Sequence, residues 1–242
     1  MFQLPSIFGL GCTSIVAQDE FGQVYHGRNL DYDMTNLLKN ITFYVDFERN
    51  GVVLYSGITF ALYNGVLTGQ RPHGYTVSLN ARYSGAYIDN IIMELYTKFK
   101  RPVSYFIREV LETVDNYPDA VATLSKTHLF SPSYIIVAGA GPMQGALISR
   151  NRWSAADVHS LDEHQWFLVE TNYDNWRKQG DERRYTAIRT LKKMGKRGFN
   201  ATQMGVVLSE VPVRNNLTVF SAIMAANRPS LMSDMAWVWD IE

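Results

Sequence analysis

Hydrophobic and polar residues alternate, or form short apolar runs between turn residues, over most of the first 80 positions. Such alternation predicts strands, because successive side chains of a strand point to opposite faces of a sheet. The strands predicted in this region cover residues 13–17, 23–26, 42–47, 52–56 and 75–80. Asn50-Gly51 separates the third strand from the fourth, and this pair favours the positive φ angles of a tight hairpin.

The remainder of the chain carries helical patterns as well as strand patterns. Helices are predicted at 91–99, 103–113, 118–125, 182–193 and 202–209. In the fourth helix Tyr185, Ile188 and Leu191 lie along one apolar face. Further strands are predicted at 134–137, 146–149, 166–171 and 219–225. This order of elements favours a layered α+β domain in which helices enclose two sheets.

Composition agrees with one globular domain that has no nucleic-acid partner. The chain has 242 residues, of which 46% are hydrophobic and 19% are charged. Its 23 basic residues balance 23 acidic ones, whereas phosphate neutralisation needs a surplus of clustered Lys and Arg. The uninterrupted apolar runs are shorter than the roughly 18 to 20 residues of a membrane span.

The sequence lacks the usual signals of metal and cofactor chemistry. The five histidines show no H-x-x-H spacing, and a single cysteine cannot form an intramolecular disulfide or a Cys-rich zinc site. Gly139-Ala140-Gly141 lies between apolar strands and precedes Pro142, which predicts a hairpin turn rather than a nucleotide-binding loop. We therefore expect neither a metal nor a cofactor.

The first 11 residues lack a basic segment and are shorter than the roughly 15 to 30 residues of a secretory signal. Three N-x-Thr sequons nevertheless occur, at Asn40, Asn200 and Asn216. We predict glycosylation at these asparagines, which favours a secretory route. A segment upstream of this start would reconcile the two observations.

Cys12 can be interpreted in two ways. A lone cysteine is usually a small buried hydrophobe. This one, however, follows Gly11, opens a predicted strand and precedes Thr13-Ser14. Cleavage of the Gly11–Cys12 bond would leave a residue that bears both a thiol and a free α-amine, and the amine could act as the general base for the thiol. Such a nucleophile requires no histidine.

Four separated motifs give the chain a resemblance to a known family. They read CTSIVAQD with HGRNLDY, ETNYDNW, DERR and VPVRNNLT, at 12–32, 170–176, 181–184 and 211–218. In this order they resemble the N-acylethanolamine acid amidases and acid ceramidases of the cholylglycine-hydrolase branch of the N-terminal-nucleophile hydrolases. The first motif favours the amidases. The resemblance implies a four-layer αββα sandwich, with a domain at 12–242 after a residual segment at 1–11.

The resemblance also implies roles for individual residues. Cys12 resembles the nucleophile that autocleavage of the preceding peptide bond exposes, and Arg28 and Asp31 resemble the pair that orients its thiol and α-amine. Asn172 resembles the donor to the oxyanion, and Arg183 an active-site arginine near the scissile amide. Each also allows a structural alternative: a turn-associated salt bridge between Arg28 and Asp31, a turn cap for Asn172, and a solvated helix start for Arg183.

Two features depart from the family pattern. Ala81 stands just before Arg82, at the position where the family carries a glutamate. Only 11 residues precede Cys12, whereas family precursors carry an α-subunit segment with a signal peptide and membrane-contacting helices. The expectation is either a partial chain or a protein that does without the α-subunit.

The expected activity is hydrolysis of lipid amides, with N-acylethanolamines as the leading substrates and ceramides as the alternative. A non-catalytic protein that binds lipid amides is a further alternative, because of Ala81 and the short leading segment. The resemblance implies the lipid amide, the α-subunit segment and a membrane surface as partners. It also implies a lysosomal or secretory location.

Overall fold

The strands of the molecule form two antiparallel sheets. The computed structural model describes residues 11–82, 102–176 and 181–240. Within these ranges the strands are β1 (Gly11–Gln18), β2 (Val24–Asp31), β3 (Thr42–Arg49), β4 (Val52–Phe60), β5 (Thr68–Arg71), β6 (Tyr75–Ala81), β7 (Ser133–Gly139), β8 (Gly145–Arg150), β9 (Ala155–Ser160), β10 (Phe167–Glu170), β11 (Thr218–Met224) and β12 (Ala236–Val238). One sheet has the order β10-β1-β2-β11-β12, and the other runs from β3 to β9 in sequence order.

The helices of the described ranges fall mainly between β6 and β7 and between β10 and β11. They are α1 (Thr35–Ile41), α2 (Val103–Thr113), α3 (Tyr117–Lys126), α4 (Glu182–Met194), α5 (Ala201–Ser209) and α6 (Leu231–Asp234). Side chains cap several of their first turns, since Asn116, Asp181 and Asn200 each accept hydrogen bonds from backbone N–H groups of the helix that follows. No helix in the described part of the chain is long and apolar enough to cross a bilayer.

The helices enclose the two sheets, as predicted. On the outer face of the five-stranded sheet, Ile15 and Val169 belong to one buried cluster with Leu191 of α4 and Met204 of α5. Helices α2 and α3 contribute to a second cluster, which includes β6 and β7 of the seven-stranded sheet. The inner faces of β1 and β2 meet β6 and β7. The αββα sandwich expected from the resemblance is confirmed.

Most of the predicted elements are present with small changes at their ends. The hairpin between β3 and β4 turns at Asn50 and Gly51, whose φ angles are 54° and 76°. Gly139-Ala140-Gly141 leads into the turn between β7 and β8, where Gly141 N donates to Gln144 Oε1 over 2.9 Å. The helix predicted at 91–99 lies outside the described residues. The sequence patterns did not predict α1, α6, β5, β9 or β12.

The predicted apolar face of α4 is right for Leu191 and Ile188, which pack in or against the core, and wrong for Tyr185. Tyr185 is 50% exposed, Ile188 is half-buried, and the buried positions include Arg184, Ala187 and Leu191. Periodicity counts tyrosine as apolar and arginine as polar, so it assigns Tyr185 to the core and Arg184 to the solvent. The guanidinium of Arg184 is buried because it pairs with a carboxylate beneath the helix.

Candidate active site

Cys12 lies in β1 and presents its thiol to the space between the two sheets. The residue is 5% exposed, and its sulfur belongs to a buried cluster with Leu30 and Phe220. In the same layer Arg28 Nη2 donates to Cys12 Sγ over 3.1 Å. Cys12 is therefore buried, as the structural interpretation expects, and also bonded to a cation, as a nucleophile requires. A guanidinium in this position stabilises negative charge on the sulfur during attack.

Arg28 is fully buried in β2, and its polar partners are neutral. Its Nη2 also donates to the carbonyl oxygen of Leu79 over 2.8 Å, and its Nη1 donates to Ser14 Oγ over 3.1 Å and to Asn80 Oδ1. Within 11–82, 102–176 and 181–240, no carboxylate lies at ion-pair distance from Arg28. Its positive charge is thus directed at the sulfur of Cys12 rather than at an acidic side chain.

Asp31 lies three residues along the same strand, so its side chain points to the opposite face from that of Arg28. The turn-associated salt bridge between the two residues is wrong. Asp31 Oδ2 accepts from Arg183 Nη1 over 3.0 Å and from Asn215 Nδ2 over 2.9 Å, and Oδ1 accepts from Thr218 Oγ1 over 2.8 Å. Burial raises the pKa of the Asp31 carboxyl, and its hydrogen bonds and the charge of Arg183 oppose that rise.

The peptide bond between Gly11 and Cys12 lies within β1, where Gly11 pairs with Asp31 of β2. A Cβ atom on Gly11 would lie 2.7 Å from Arg183 Nη1 and 2.9 Å from Asp31 Oδ2. Both distances are shorter than van der Waals contact. A glycine is therefore needed before Cys12 if the carboxylate and the guanidinium are to stay beside this peptide bond.

Arg183 begins α4 and connects three members of the site. Its Nη1 donates to the carbonyl oxygen of Cys12 over 3.2 Å and to Asp31, and its Nη2 donates to Asn172 Oδ1 over 2.9 Å. Asp181, the N-cap of α4, pairs with the same guanidinium at 2.5 Å. The side chain is only 15% exposed, so the solvated helix start is wrong.

Asn172 follows β10 and accepts two hydrogen bonds at one oxygen. Its Oδ1 receives the backbone N–H of Cys12 over 3.0 Å and the Nη2 group of Arg183. Both partners can only donate, which fixes the orientation of the amide. Its Nδ2 donates one N–H to the carbonyl oxygen of Ala81 over 2.9 Å. The second N–H of the same nitrogen is the group that could stabilise an oxyanion.

Ala81 ends β6 beside this group. The resemblance leads to the expectation of an acid at this position. With Ala81 there, the charge of Arg183 is balanced by Asp31 and Asp181. Arg82 is also paired, through Nε and Asp174 Oδ1 at 2.7 Å. Among the three guanidinium groups Arg28, Arg82 and Arg183, Arg28 is thus the one whose acceptors are all neutral within the described ranges.

Sequence reasoning missed Asn80, which connects both sheets behind the thiol. Its Oδ1 accepts from Ser14 and Arg28, and its Nδ2 donates to the carbonyl oxygens of Glu170 and Thr171 over 3.1 and 2.8 Å. Asn80 is thereby hydrogen-bonded both to Arg28 and to the backbone just before Asn172. The signal was present in β6, where every second residue is polar. That face contacts the other sheet rather than water.

A second buried charge cluster supports the segment that carries Asn172. Glu170 Oε1 accepts from Arg184 Nη2 over 2.5 Å, and Arg184 also donates to the carbonyl oxygen of Tyr173. Glu170 Oε2 has no hydrogen-bond partner in the described part of the molecule. Burial raises the pKa of Glu170 to about 8, although the charge of Arg184 acts in the opposite direction.

The sequon asparagines Asn40, Asn200 and Asn216 are all exposed. Asn200 Oδ1 accepts from Thr202 N over 2.8 Å as the N-cap of α5. Their glycosylation stays a prediction. In the described ranges, no group of three or more His, Cys, Asp or Glu side chains is arranged to hold a metal ion.

The site and the fold together define a class of protein. The chain belongs to the choloylglycine hydrolase family of linear amide C–N hydrolases, whose model matches residues 12–189. It is 69% identical over 230 residues to the N-acylethanolamine-hydrolyzing acid amidase of Caenorhabditis elegans, covering 94% of this chain and 65% of that protein. Mouse acid ceramidase is 34% identical over 243 residues, covering 93% of this chain and 62% of that protein.

A solved structure of the Caenorhabditis elegans N-acylethanolamine-hydrolyzing acid amidase ortholog has a TM-score of 0.88 and 65% identity to this chain. The match covers 95% of this chain and 100% of that one. The present chain spans 62–65% of the length of the curated amidases from Caenorhabditis elegans and rabbit that it matches.

Proposed function

We propose that this chain is an N-terminal cysteine hydrolase that cleaves N-acylethanolamines to a fatty acid and ethanolamine. One observation carries the proposal: three atoms of Cys12, namely Sγ, N and O, bond to Arg28, Asn172 and Arg183 respectively. Each of these contacts serves a different part of amide cleavage. The family membership and the names of the similar amidases support the reaction type and the substrate class.

Activation of the enzyme is proposed to begin with cleavage before Cys12. The sulfur attacks the carbonyl carbon of Gly11, the C–N bond breaks, and the nitrogen of Cys12 takes up the proton that the thiol loses. The resulting thioester is hydrolysed by water, which releases the leading segment with a carboxylate. Asp31 and Arg183 lie beside this bond and hold the peptide in place for the attack.

Turnover uses the α-amine that cleavage creates. The amine accepts the proton of the thiol, and the sulfur attacks the carbonyl carbon of the lipid amide. The oxyanion receives the second N–H of Asn172, and Arg28 stabilises charge on the sulfur. The C–N bond then breaks as the ammonium returns its proton to the leaving ethanolamine nitrogen, and water hydrolyses the acyl-thioester to the fatty acid.

Two alternatives follow from particular observations. Ceramide is the alternative substrate because the chain is also similar to acid ceramidase. A lipid-amide-binding protein without activity is the alternative function because Ala81, where the resemblance implies an acid, lies beside Asn172 and accepts a hydrogen bond from its Nδ2. In that case neither the parent nor an Ala81→Glu variant would cleave itself or an amide at any pH. Contact with an α-subunit segment and a membrane surface, and a lysosomal or secretory location, belong to the same proposal.

The experiment is a paired assay at acidic pH of protein made in a secretory host. N-acylethanolamine and ceramide are supplied at equal concentration, and the Cys12→Ser variant is the control for background hydrolysis. We expect fatty-acid release from the N-acylethanolamine at a higher kcat/KM, and far less from the variant because a hydroxyl is much less ionised than a thiol. Preferential ceramide cleavage would replace the substrate assignment. Lipid binding with no acyl-enzyme would overturn the enzymatic one.

A further inference from the structure

A chain of hydrogen bonds runs from Arg28 through the layer between the sheets to His26. Arg28 Nη1 donates to Ser14 Oγ, and Ser14 Oγ lies 2.8 Å from Ser78 Oγ. Ser78 Oγ lies 2.9 Å from His26 Nε2, and His26 Nδ1 lies 2.8 Å from Thr76 Oγ1. All five residues are buried with no exposed surface. The chain thus ends at an imidazole that does not touch Cys12.

The acceptors in this chain fix the direction of each bond. The one hydroxyl hydrogen of Ser14 goes to Asn80 Oδ1, over 2.8 Å. The bond between the two serines therefore uses the hydrogen of Ser78, and Ser78 Oγ must accept from His26 Nε2. The imidazole consequently carries its hydrogen on Nε2. When the ring is neutral, Nδ1 accepts the hydrogen of Thr76 Oγ1, which lies 2.8 Å from Nδ1 and 3.3 Å from its alternative acceptor, the carbonyl oxygen of Ala138.

The neutral form of His26 agrees with its surroundings. Burial and the positive charge of Arg28 lower the pKa of His26 to about 3. The imidazole therefore remains a fixed donor at Nε2 in mildly acidic solution. The charged groups that face it include Arg28 of its own strand, while Thr76 and Ser78 of β6 are neutral.

We propose that His26 is a positioning residue for Arg28, acting through Ser78 and Ser14. The donor at Nε2 orients the Ser78 hydroxyl toward Ser14, so that the Ser14 hydrogen stays on Asn80 Oδ1. Both oxygens are thereby held in place to accept from Arg28 Nη1. With the opposite orientation the Ser14 hydrogen would point to Ser78, and two acceptor oxygens, Ser14 Oγ and Asn80 Oδ1, would face each other at 2.8 Å. The guanidinium needs this support because its acceptors are neutral in the described ranges and its Nε has no partner there. The inference rests on the proposed function of Arg28 at the sulfur of Cys12.

The test compares four variants of the full chain. His26→Phe removes both ring hydrogen bonds at similar volume, whereas His26→Gln keeps a donor near the position of Nε2. Ser14→Ala removes the link to Arg28. Thr76→Val is the matched control, because it removes the hydroxyl at the far end of the chain and leaves the path to Arg28 intact. Thermal unfolding is measured for each variant to distinguish a loss of folded protein from a displacement of the Arg28 guanidinium.

Two readouts report on Arg28 rather than on packing. The first is kcat with the N-acylethanolamine, and the second is the rate at which iodoacetamide alkylates Cys12, which requires no amide hydrolysis. We expect His26→Phe and Ser14→Ala each to lower both rates about 10-fold with little change in KM, the equivalent of one well-placed hydrogen bond. His26→Gln should restore most of the loss, and Thr76→Val should cause less than about a 3-fold loss.

The double variant decides between positioning and packing. If His26 acts through Ser14, adding His26→Phe to Ser14→Ala lowers the alkylation rate no further, because the path is already broken. Additive losses, or equal losses in His26→Phe and Thr76→Val, would overturn the proposal. If His26→Phe does not fold, Ser78→Ala combined with Ser14→Ala provides the same comparison. Failure of the parent to hydrolyse amides would count against the proposed function alone, since the alkylation readout is independent of it.

Discussion

Arg28 donates a hydrogen bond to the sulfur of Cys12 over 3.1 Å, from a fully buried position where its remaining partners are neutral oxygens. A buried guanidinium without a carboxylate is costly, because desolvation of the charge is not repaid by an ion pair. Charge on the sulfur during catalysis supplies the missing counter-charge. The desolvation of Arg28 that destabilises the resting protein therefore leaves its charge available to stabilise the sulfur of Cys12 in the proposed reaction.

Arg28→Lys should lower kcat/KM for the N-acylethanolamine by at least about 10-fold. Lysine carries a point charge and cannot reproduce the planar fork that reaches Cys12, Ser14 and Asn80 together. Arg150→Lys is the matched control, since Arg150 is equally buried and donates to the carbonyl oxygens of Leu124 and Thr127 near the end of α3. Steady-state kinetics and thermal unfolding check both variants. Equal losses of activity in the two would mean that Arg28 has a structural role only.

Asn172→Ala should lower kcat by roughly 100- to 1000-fold, as expected when one oxyanion donor is lost. The variant also removes the acceptor for Cys12 N and Arg183, so the rate of cleavage before Cys12 should fall with it. Asn172→Asp keeps the acceptor and lacks the N–H groups. In single-turnover assays Asn172→Asp should therefore react as slowly as Asn172→Ala. Near-normal turnover in either variant would show that the role of Asn172 is structural.

Gly11→Ala should slow cleavage before Cys12, because the added methyl group would collide with Arg183 Nη1 and Asp31 Oδ2. Either the strand or the two charged groups must move, which separates them from the peptide bond. Gly205→Ala is the control, since a Cβ there meets Ile223 at an ordinary 3.6 Å. Cleavage is followed over time by denaturing gel electrophoresis. Unchanged cleavage in Gly11→Ala would show that Asp31 and Arg183 need not touch this segment.

Glu170→Gln should flatten the dependence of stability on pH. The pKa of Glu170 is raised from 4.5 to about 8, so between these values the folded chain holds a proton that the unfolded chain has released. The free energy of unfolding of the parent therefore falls as pH rises through this window, by at most about 1.4 kcal/mol per pH unit. Below about pH 4.5 the Glu170 carboxyl is protonated in both the folded and the unfolded state, and its contribution to the free energy of unfolding is fully present.

Urea unfolding of the parent and of Glu170→Gln at pH 4.5, 6 and 8 measures this difference. The two proteins should be similar in stability at the lowest pH, and the variant should gain on the parent toward pH 8. Glu182→Gln, on the exposed first turn of α4, is the control and should follow the parent. Parallel curves for the parent and Glu170→Gln would show that Arg184 keeps the carboxylate ionised throughout.

The fold could be predicted largely because strand and helix periodicity is local. The elements that escaped prediction carry weak patterns: β5 reads Thr-Gly-Gln-Arg, and β9 is an exposed edge strand. The wrong placement of Tyr185 on the buried face of α4 has the same origin as the missed second charge cluster. Arg184 is buried through its pairing with Glu170, and no periodicity of apolar residues records such a pair.

The sequence predicts the residues of the site and, through the resemblance, a role for each, but it does not predict their contacts. The structure brings together all five predicted residues, Cys12, Arg28, Asp31, Asn172 and Arg183, and their catalytic roles remain predictions. Arg28 and Asp31 lie on opposite faces of β2, and Arg28 contacts Cys12 Sγ whereas Asp31 contacts Arg183. This separation could not be predicted, because it depends on which face of the strand meets the helices. Asp31 bonds to Thr218 across 187 positions of sequence, and such contacts follow from the order of strands in the sheet.

The most direct test of this account is the N-terminal sequence and intact mass of protein that is actively hydrolysing amides. Protein made in a secretory host is purified, assayed with the N-acylethanolamine and sequenced from the same sample. We predict that the active chain begins Cys12-Thr13-Ser14, and that both cleavage and turnover are sharply slowed in Cys12→Ser. Full activity in protein whose Cys12 is still joined to Gly11 would contradict the free-amine mechanism and with it the proposed function of this site.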